Sequence, residues 1–79
     1  MTKAVQILSA LGGAANISEL DPCITRLRLK VVDPEVIDEP ALQDAGALGV
    51  VRSGRVIQVI IGPEADDLCA EMALLLAAD

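Results

Sequence analysis

Arg26, Arg28 and Lys30 alternate with Leu27, Leu29 and Val31, and this is the strictest pattern in the chain. Successive side chains on an extended backbone point to opposite faces, so residues 25–32 are predicted to form a strand with one apolar and one cationic face. The apolar face requires a cover, whereas the cationic face is left to water or a partner. The cover has to be built from small aliphatic side chains, because the 79 residues include no Phe, Tyr or Trp. A chain of this length forms one domain, taken as residues 1–79, and buries only about 60% of its unfolded surface.

The remaining elements fall between Gly, Pro and Asp clusters. Residues 2–11 carry Ala4, Val5, Ile7, Leu8 and Leu11 at helical spacing, with Thr2 as the N-terminal cap and Gly12-Gly13 as the stop. Residues 16–20 are a short strand closed by Asp21-Pro22, and a tight connection around Pro22-Cys23 joins it to the 25–32 strand as a hairpin. Asp33-Pro34 ends that hairpin. Residues 39–45 form a short helix capped by Asp38, with Pro40 in its first turn and Gly46 after it. Two β-branched runs, 48–51 and 56–61, flank Arg52-Ser53-Gly54-Arg55 as a second hairpin. After Gly62-Pro63, residues 64–78 form the last helix. Glu64, Asp66 and Asp67 lie at its positive end, and Leu68, Met72, Leu75 and Leu76 are its buried stripe. The order is αββαββα. The fold class is therefore α+β: a two-layer sandwich with a four-stranded antiparallel sheet from two hairpins and three helices on one face, the face of Leu27, Leu29 and Val31.

Composition removes several functions. A net charge of −6 opposes non-specific nucleic-acid binding and attraction to anionic lipid. No stretch approaches the roughly 20 apolar residues of a membrane span, and residues 1–11 lack the features of a signal peptide, so a cytosolic chain is expected. Cys23 and Cys69 are too few for a disulfide framework. Without His or a CxxC pair, no metal site or cofactor is expected, and nucleophilic catalysis with an internal His is excluded.

The charge distribution points to a site. Three of the six basic residues, Arg26, Arg28 and Lys30, lie within five positions, starting three residues after Cys23. A cationic row beside a cysteine in an acidic chain offers a place for an anion, and the forked donors of Arg suit phosphate. Neighbouring cations favour thiolate over thiol, which makes the sulfur a nucleophile. Thr25 adds a hydroxyl donor, and the turn at Cys23 offers backbone N–H groups for an anion nest. The same residues also describe an ordinary surface strand with an incidental cysteine, and the residues alone leave both readings open.

Other candidates are read structurally. Gly46-Ala47-Leu48-Gly49 lacks the Lys and length of a phosphate loop. Cys69, among Leu68, Ala70 and Met72, is a buried thiol. Asp66, Asp67 and Glu71 are a solvated helix face, and Arg52 and Arg55 flank a hairpin turn, where solvation is favoured over a part in a docking rim. A phosphatase-type cysteine loop needs an Arg six positions after the Cys, where this chain has Leu29.

The stretch Asn16-Ile17, five residues, then Cys23-Ile24-Thr25-Arg26-Leu27-Arg28-Leu29-Lys30-Val31-Val32-Asp33 resembles the phosphorylation-site signature of the IIB domains of the glucose and N-acetylglucosamine family of bacterial phosphotransferase permeases. Leu11-Gly12-Gly13 is similar to the family's opening. Residues 46–51 and 56–62 are similar to its second hairpin, so the likeness covers nearly the whole chain. The resemblance implies an antiparallel sheet with helices on one face. It also implies a cytosolic phosphotransferase component in which a IIA phosphohistidine protein donates a phosphoryl group to Cys23. Cys23 then passes it to a sugar delivered by the membrane IIC permease, and the chain sits at the inner face of the membrane through that permease. By the same resemblance Arg26 serves both transfer steps, Arg28 chiefly the step to sugar, and Thr25 donates to the bound phosphoryl group.

Many family members carry this domain fused to the permease; here the Met1 start favours a separate chain, expected to be a monomer that docks transiently on two partners in turn. N-acetylglucosamine is favoured over glucose. Two other functions stand beside this one: a non-enzymatic metabolite-binding or regulatory α+β module, and a redox switch between Cys23 and Cys69.

Overall fold

A computed structural model describes residues 2–77. Its elements are α1 (Lys3–Ala10), β1 (Ile17–Cys23), β2 (Arg26–Val31), α2 (Glu39–Asp44), β3 (Gly49–Ser53), β4 (Val56–Ile60) and α3 (Ala65–Ala77). Short 3-10 turns at Ala14–Asn16 and Pro34–Val36 precede β1 and α2. The order is the expected αββαββα. All strand pairings are antiparallel and the sheet runs β1-β2-β4-β3, so the hairpins meet through β2 and β4. The expected Ala78 at the end of the last helix lies outside the described residues.

Local chemistry sets the helix ends. The Thr2 hydroxyl accepts the Val5 N–H, and the Asp38 carboxylate accepts the Ala41 N–H one residue before the Glu39-Pro40 start of α2. These caps satisfy N–H groups that a helix leaves unpaired in its first turn. Asp66 and Asp67 lie in the first turn of α3, where the helix dipole favours negative charge.

The helices cover the apolar face of the sheet. Leu27, Leu29 and Val31 of β2 and Ile57 and Val59 of β4 are buried with Ile7, Leu11, Leu42, Leu68 and Met72. Each such side chain contributes about 1.5–3 kcal/mol on burial, enough for aliphatic residues alone to close this core. The buried stripes keep the expected Ala4, Ile7, Leu11, Leu68 and Met72 and differ at the other positions. In α1 the buried residues are Ala4, Ile7 and Ala10, while Val5 and Leu8 flank them half-buried. In α3 they are Ala65, Leu68, Cys69 and Met72, with Leu75 and Leu76 at the margin.

The first hairpin is longer than its turn residues imply. β1 does not close at Asp21-Pro22 but runs on through both to Cys23, and the connection is the two-residue turn Ile24-Thr25. Pro22 is tolerated because β1 is an edge strand, where one row of backbone groups needs no partner. Thr25, expected on the strand, is therefore in the turn.

Two polar side chains fasten the connections. Asn16 is buried. Its Nδ2 donates to the carbonyls of Leu11 and Asp33 at 2.8 and 3.0 Å, and its Oδ1 accepts the Asp33 N–H at 2.8 Å. It ties the end of α1 to the end of β2. Gly12 lies against it at φ +98°; a Cβ there would come within 2.9 Å of Asn16 Nδ2 and 2.7 Å of Val36. Arg52 is not a solvated turn residue. Its guanidinium donates to Glu39 and to the carbonyls of Pro34 and Ile37, bracing edge strand β3 against the chain leading into α2.

Candidate functional site

Cys23 is the last residue of β1 and is exposed. Its Cα partner across the hairpin is Arg26, the first residue of β2. Because Leu27, Leu29 and Val31 are buried, Arg26, Arg28 and Lys30 share the face that the helices leave open, and paired residues of β1 project to that same face.

The register places each cation opposite a particular side chain. Lys30 pairs with Glu19, Arg28 with Asp21, and Arg26 with Cys23. Two carboxylates and a sulfur thus alternate along β1 opposite three cations on β2. Cys23 takes the ladder position that an acid takes at the two preceding pairs.

The two arginines are held differently. Arg26 is half-buried and its Nη1 donates to Oε1 of Gln58 at 2.9 Å. Gln58 stands on β4 as the Cα partner of Arg28, so its side chain spans the two arginine rows. Arg28 is exposed and, among the described residues, forms no salt bridge, whereas Lys30 lies 3.9 Å from Glu19. One guanidinium is thus anchored beside the cysteine and a second is available to an arriving anion. Thr25 is exposed in the turn, next to both Cys23 and Arg26. The structure therefore brings Cys23, Thr25, Arg26 and Arg28 to one end of the open face. Sequence reasoning missed Gln58, although a lone amide in the β-branched run Val56-Ile57-Gln58-Val59 was the signal for it.

Apolar side chains extend from this end. Ile24, at the tip of the turn, is 89% exposed and Leu48 is 75% exposed; Val51, the Cα partner of Gln58, is also exposed. Gly49 stands opposite Ile60, which is itself paired with Arg26, so the row that begins at Cys23 ends without a side chain.

The second cysteine is of another kind. Cys69 is buried in α3, and burial pushes its thiol up from its ordinary value, with the Asp21 and Asp66 carboxylates adding to the shift. A buried thiol disfavoured as thiolate is a poor partner for exchange with Cys23, which weighs against the redox switch. Among the described residues no group of three or more His, Cys, Asp or Glu is placed to hold a metal ion. An open groove of about 470 Å³ between α1 and α2, lined by Gln6, Ser9, Asp38 and Asp44, shares no residue with the Cys23 face. No helix among the described residues is long and apolar enough to cross a membrane.

Comparison with known proteins places this face in context. The family described as phosphotransferase system, EIIB, matches residues 5–38, a span that contains Cys23, Thr25, Arg26 and Arg28. A curated relative from Streptomyces coelicolor, the PTS system N-acetylglucosamine-specific EIIB component, is 52% identical over 71 residues, covering 90% of this chain and 92% of the relative. The chain belongs to the phosphotransferase-system EIIB family. Its branch is the glucose/N-acetylglucosamine one. A crystal structure of one domain of the PTS system IIabc component from Clostridium difficile superimposes with a TM-score of 0.77 at 25% identity, over 91% of this chain and 76% of that one. The EIIB sheet and its helical cover are thus shared with a solved PTS domain. EIIB components act in phosphotransfer to a sugar together with IIA and IIC components, so this chain's place is in such a system.

Proposed function

We propose that this EIIB chain is the phosphoryl carrier between a IIA phosphohistidine protein and a membrane IIC permease, and that Cys23 holds the phosphoryl group. The observation that carries the reading is the register: an exposed cysteine opposite a tethered arginine, one row from an arginine with no salt bridge among the described residues.

In the first step the Cys23 thiolate attacks the phosphorus of the donor's phosphohistidine. The S–P bond forms, the N–P bond breaks, and its electron pair returns to the imidazole of the IIA protein. In the second step a sugar hydroxyl oxygen attacks phosphorus and loses its proton to solvent or the permease. The S–P bond breaks with its electrons returning to sulfur, which restores the thiolate. Neither step needs a base from this chain. Phosphoryl transfer depends chiefly on positioning and on charge balance at the equatorial oxygens. Arg26, fixed by Gln58, supplies that charge in both steps. Arg28 does so chiefly in transfer to sugar, and the Thr25 hydroxyl donates to the bound group.

Residues 1–79 act as one IIB carrier unit and as a monomer. Ile24, Leu48 and Val51 form an apolar rim that docks the IIA protein. The same face then turns to the IIC permease, which places the chain at the cytoplasmic side of the membrane. The name of the Streptomyces coelicolor relative supports N-acetylglucosamine as the sugar. Vesicles carrying a candidate IIC permease, supplied with this chain and phosphorylated IIA, test the whole proposal. N-acetylglucosamine phosphate formed in preference to glucose phosphate is the expected product, and no sugar phosphate with any matched IIC permease contradicts it.

A further inference from the structure

The turn that carries Cys23 is held from behind. Beyond β4, the N–H groups of Ile61 and Gly62 both donate to the Thr25 carbonyl, each at 2.9 Å. Two residues just past β4 thus oppose one residue of the turn before β2, the hydrogen-bond pattern of a β-bulge, which ends pairing and re-aims the chain. Gly62 is buried, and its own carbonyl accepts the N–H of Ala65 at the start of α3. It lies at φ +115°, yet a Cβ on it would meet no atom within 4 Å. Glycine is required at position 62 by the backbone conformation and not by space.

At the other end of this contact, Ile24 sits at φ +57°, the sole non-glycine residue at positive φ among the described residues. A β-branched side chain is disfavoured there. Packing does not hold Ile24 in place, because its side chain is 89% exposed. The restraint comes from the backbone on both sides: the Cys23–Arg26 pairing and the doubly bonded Thr25 carbonyl.

We infer that Gly62 is a positioning residue for the Cys23 turn: through the Thr25 carbonyl it holds Ile24 in its left-handed conformation and fixes the direction in which Cys23, Thr25 and Arg26 face an arriving phosphoryl group. The consequence for phosphoryl transfer rests on the carrier function proposed above; the consequence for the turn does not.

Gly62→Ala tests this without a clash, since only the backbone preference changes. The variant is expected to keep its far-ultraviolet circular dichroism while the amide resonances of Ile24, Thr25 and Arg26 move and the alkylation rate of Cys23 by iodoacetamide changes. Its maximal rate of phosphoryl uptake at saturating phosphorylated IIA should fall about tenfold, because a misplaced reacting group costs rate. Unchanged resonances and alkylation in a folded variant overturn the inference. If wild type accepts no phosphoryl group, the carrier function fails, and alkylation and resonances still decide the role of Gly62. Hydrogen exchange of the wild type gives a readout that requires no variant to fold. A Gly62 amide protected as well as that of Ile61 supports the clamp, and exchange at the rate of an unstructured peptide overturns it.

Discussion

Arg26 donates to Gln58 across the β2–β4 ladder at 2.9 Å, and this bond fixes a guanidinium on the residue paired with Cys23. Arg26 has no such tether on the β1 side, where its partner is the cysteine itself. The two strands flanking β2 therefore meet Arg26 differently: β4 supplies a hydrogen-bond acceptor and β1 the paired cysteine.

Gln58→Leu keeps the strand and its β-propensity but removes the acceptor. A hydrogen bond to a charged group contributes about 1.5–3 kcal/mol when buried, and Arg26 is only half-buried, so a loss near the lower end is expected. That loss lowers Tm, and with the guanidinium untethered phosphoryl transfer through Cys23 should slow by about tenfold. Stopped-flow transfer from phosphorylated IIA measures it, and a rate equal to wild type would remove Gln58 from the site.

Asn16→Ala acts on the fold and not on the chemistry. It leaves the Asp33 N–H and the Leu11 and Asp33 carbonyls without their partner in a buried place. A cost of about 2–4 kcal/mol follows, which is severe for a domain of this size. Urea denaturation is the measurement, with a large fall in midpoint at unchanged slope expected.

Arg52→Ala releases edge strand β3 from Glu39 and from the Pro34 and Ile37 carbonyls. The bonds are partly exposed, so a cost of about 1–2 kcal/mol is expected, with a fall in Tm of about 4–8 °C per kcal/mol. Phosphoryl transfer at a temperature where the variant is folded should match wild type. A rate defect without a Tm change would instead place Arg52 in a docking surface.

Cys69 gives the chain an alkaline limit. Burial first, then Asp21 and Asp66, raise its thiol above the ordinary 9.0 in the folded state. The folded state therefore binds this proton more tightly than the unfolded state does. The stabilisation is fully present below the unfolded value and is lost as pH rises from it through the folded value. Urea midpoints should fall above about pH 9, and Cys69→Ala should flatten that part of the profile relative to wild type.

Most of the fold was legible because the residues that build it act locally. The alternation from Arg26 to Val31 placed a strand and its buried face, and Thr2 and Asp38 marked two helix starts. The end of β1 was not legible. Asp21-Pro22 is a strong turn signal in isolation, and only the edge position of β1 lets the strand pass through it. That error hid the relation between Glu19, Asp21 and Cys23 on one strand and Lys30, Arg28 and Arg26 on the other, since register is a property of the pair. Arg52 was misread for a similar reason. Its partners, Pro34, Ile37 and Glu39, are distant in sequence, and a charged residue near a turn gives no local hint of them. Cys23, Thr25, Arg26 and Arg28 were singled out from one short motif, but Gln58 reaches that motif only through the pairing of β2 with β4.

The most direct measurement is the intact mass of the chain after incubation with phosphorylated IIA, for wild type and Cys23→Ser side by side. A gain of one phosphoryl group in wild type, located on the peptide containing Cys23 and absent from the variant, is the predicted result. An equal gain in the Cys23→Ser variant, or no gain in wild type with a IIA protein that phosphorylates other EIIB chains, would contradict the assignment of the phosphoryl group to that sulfur.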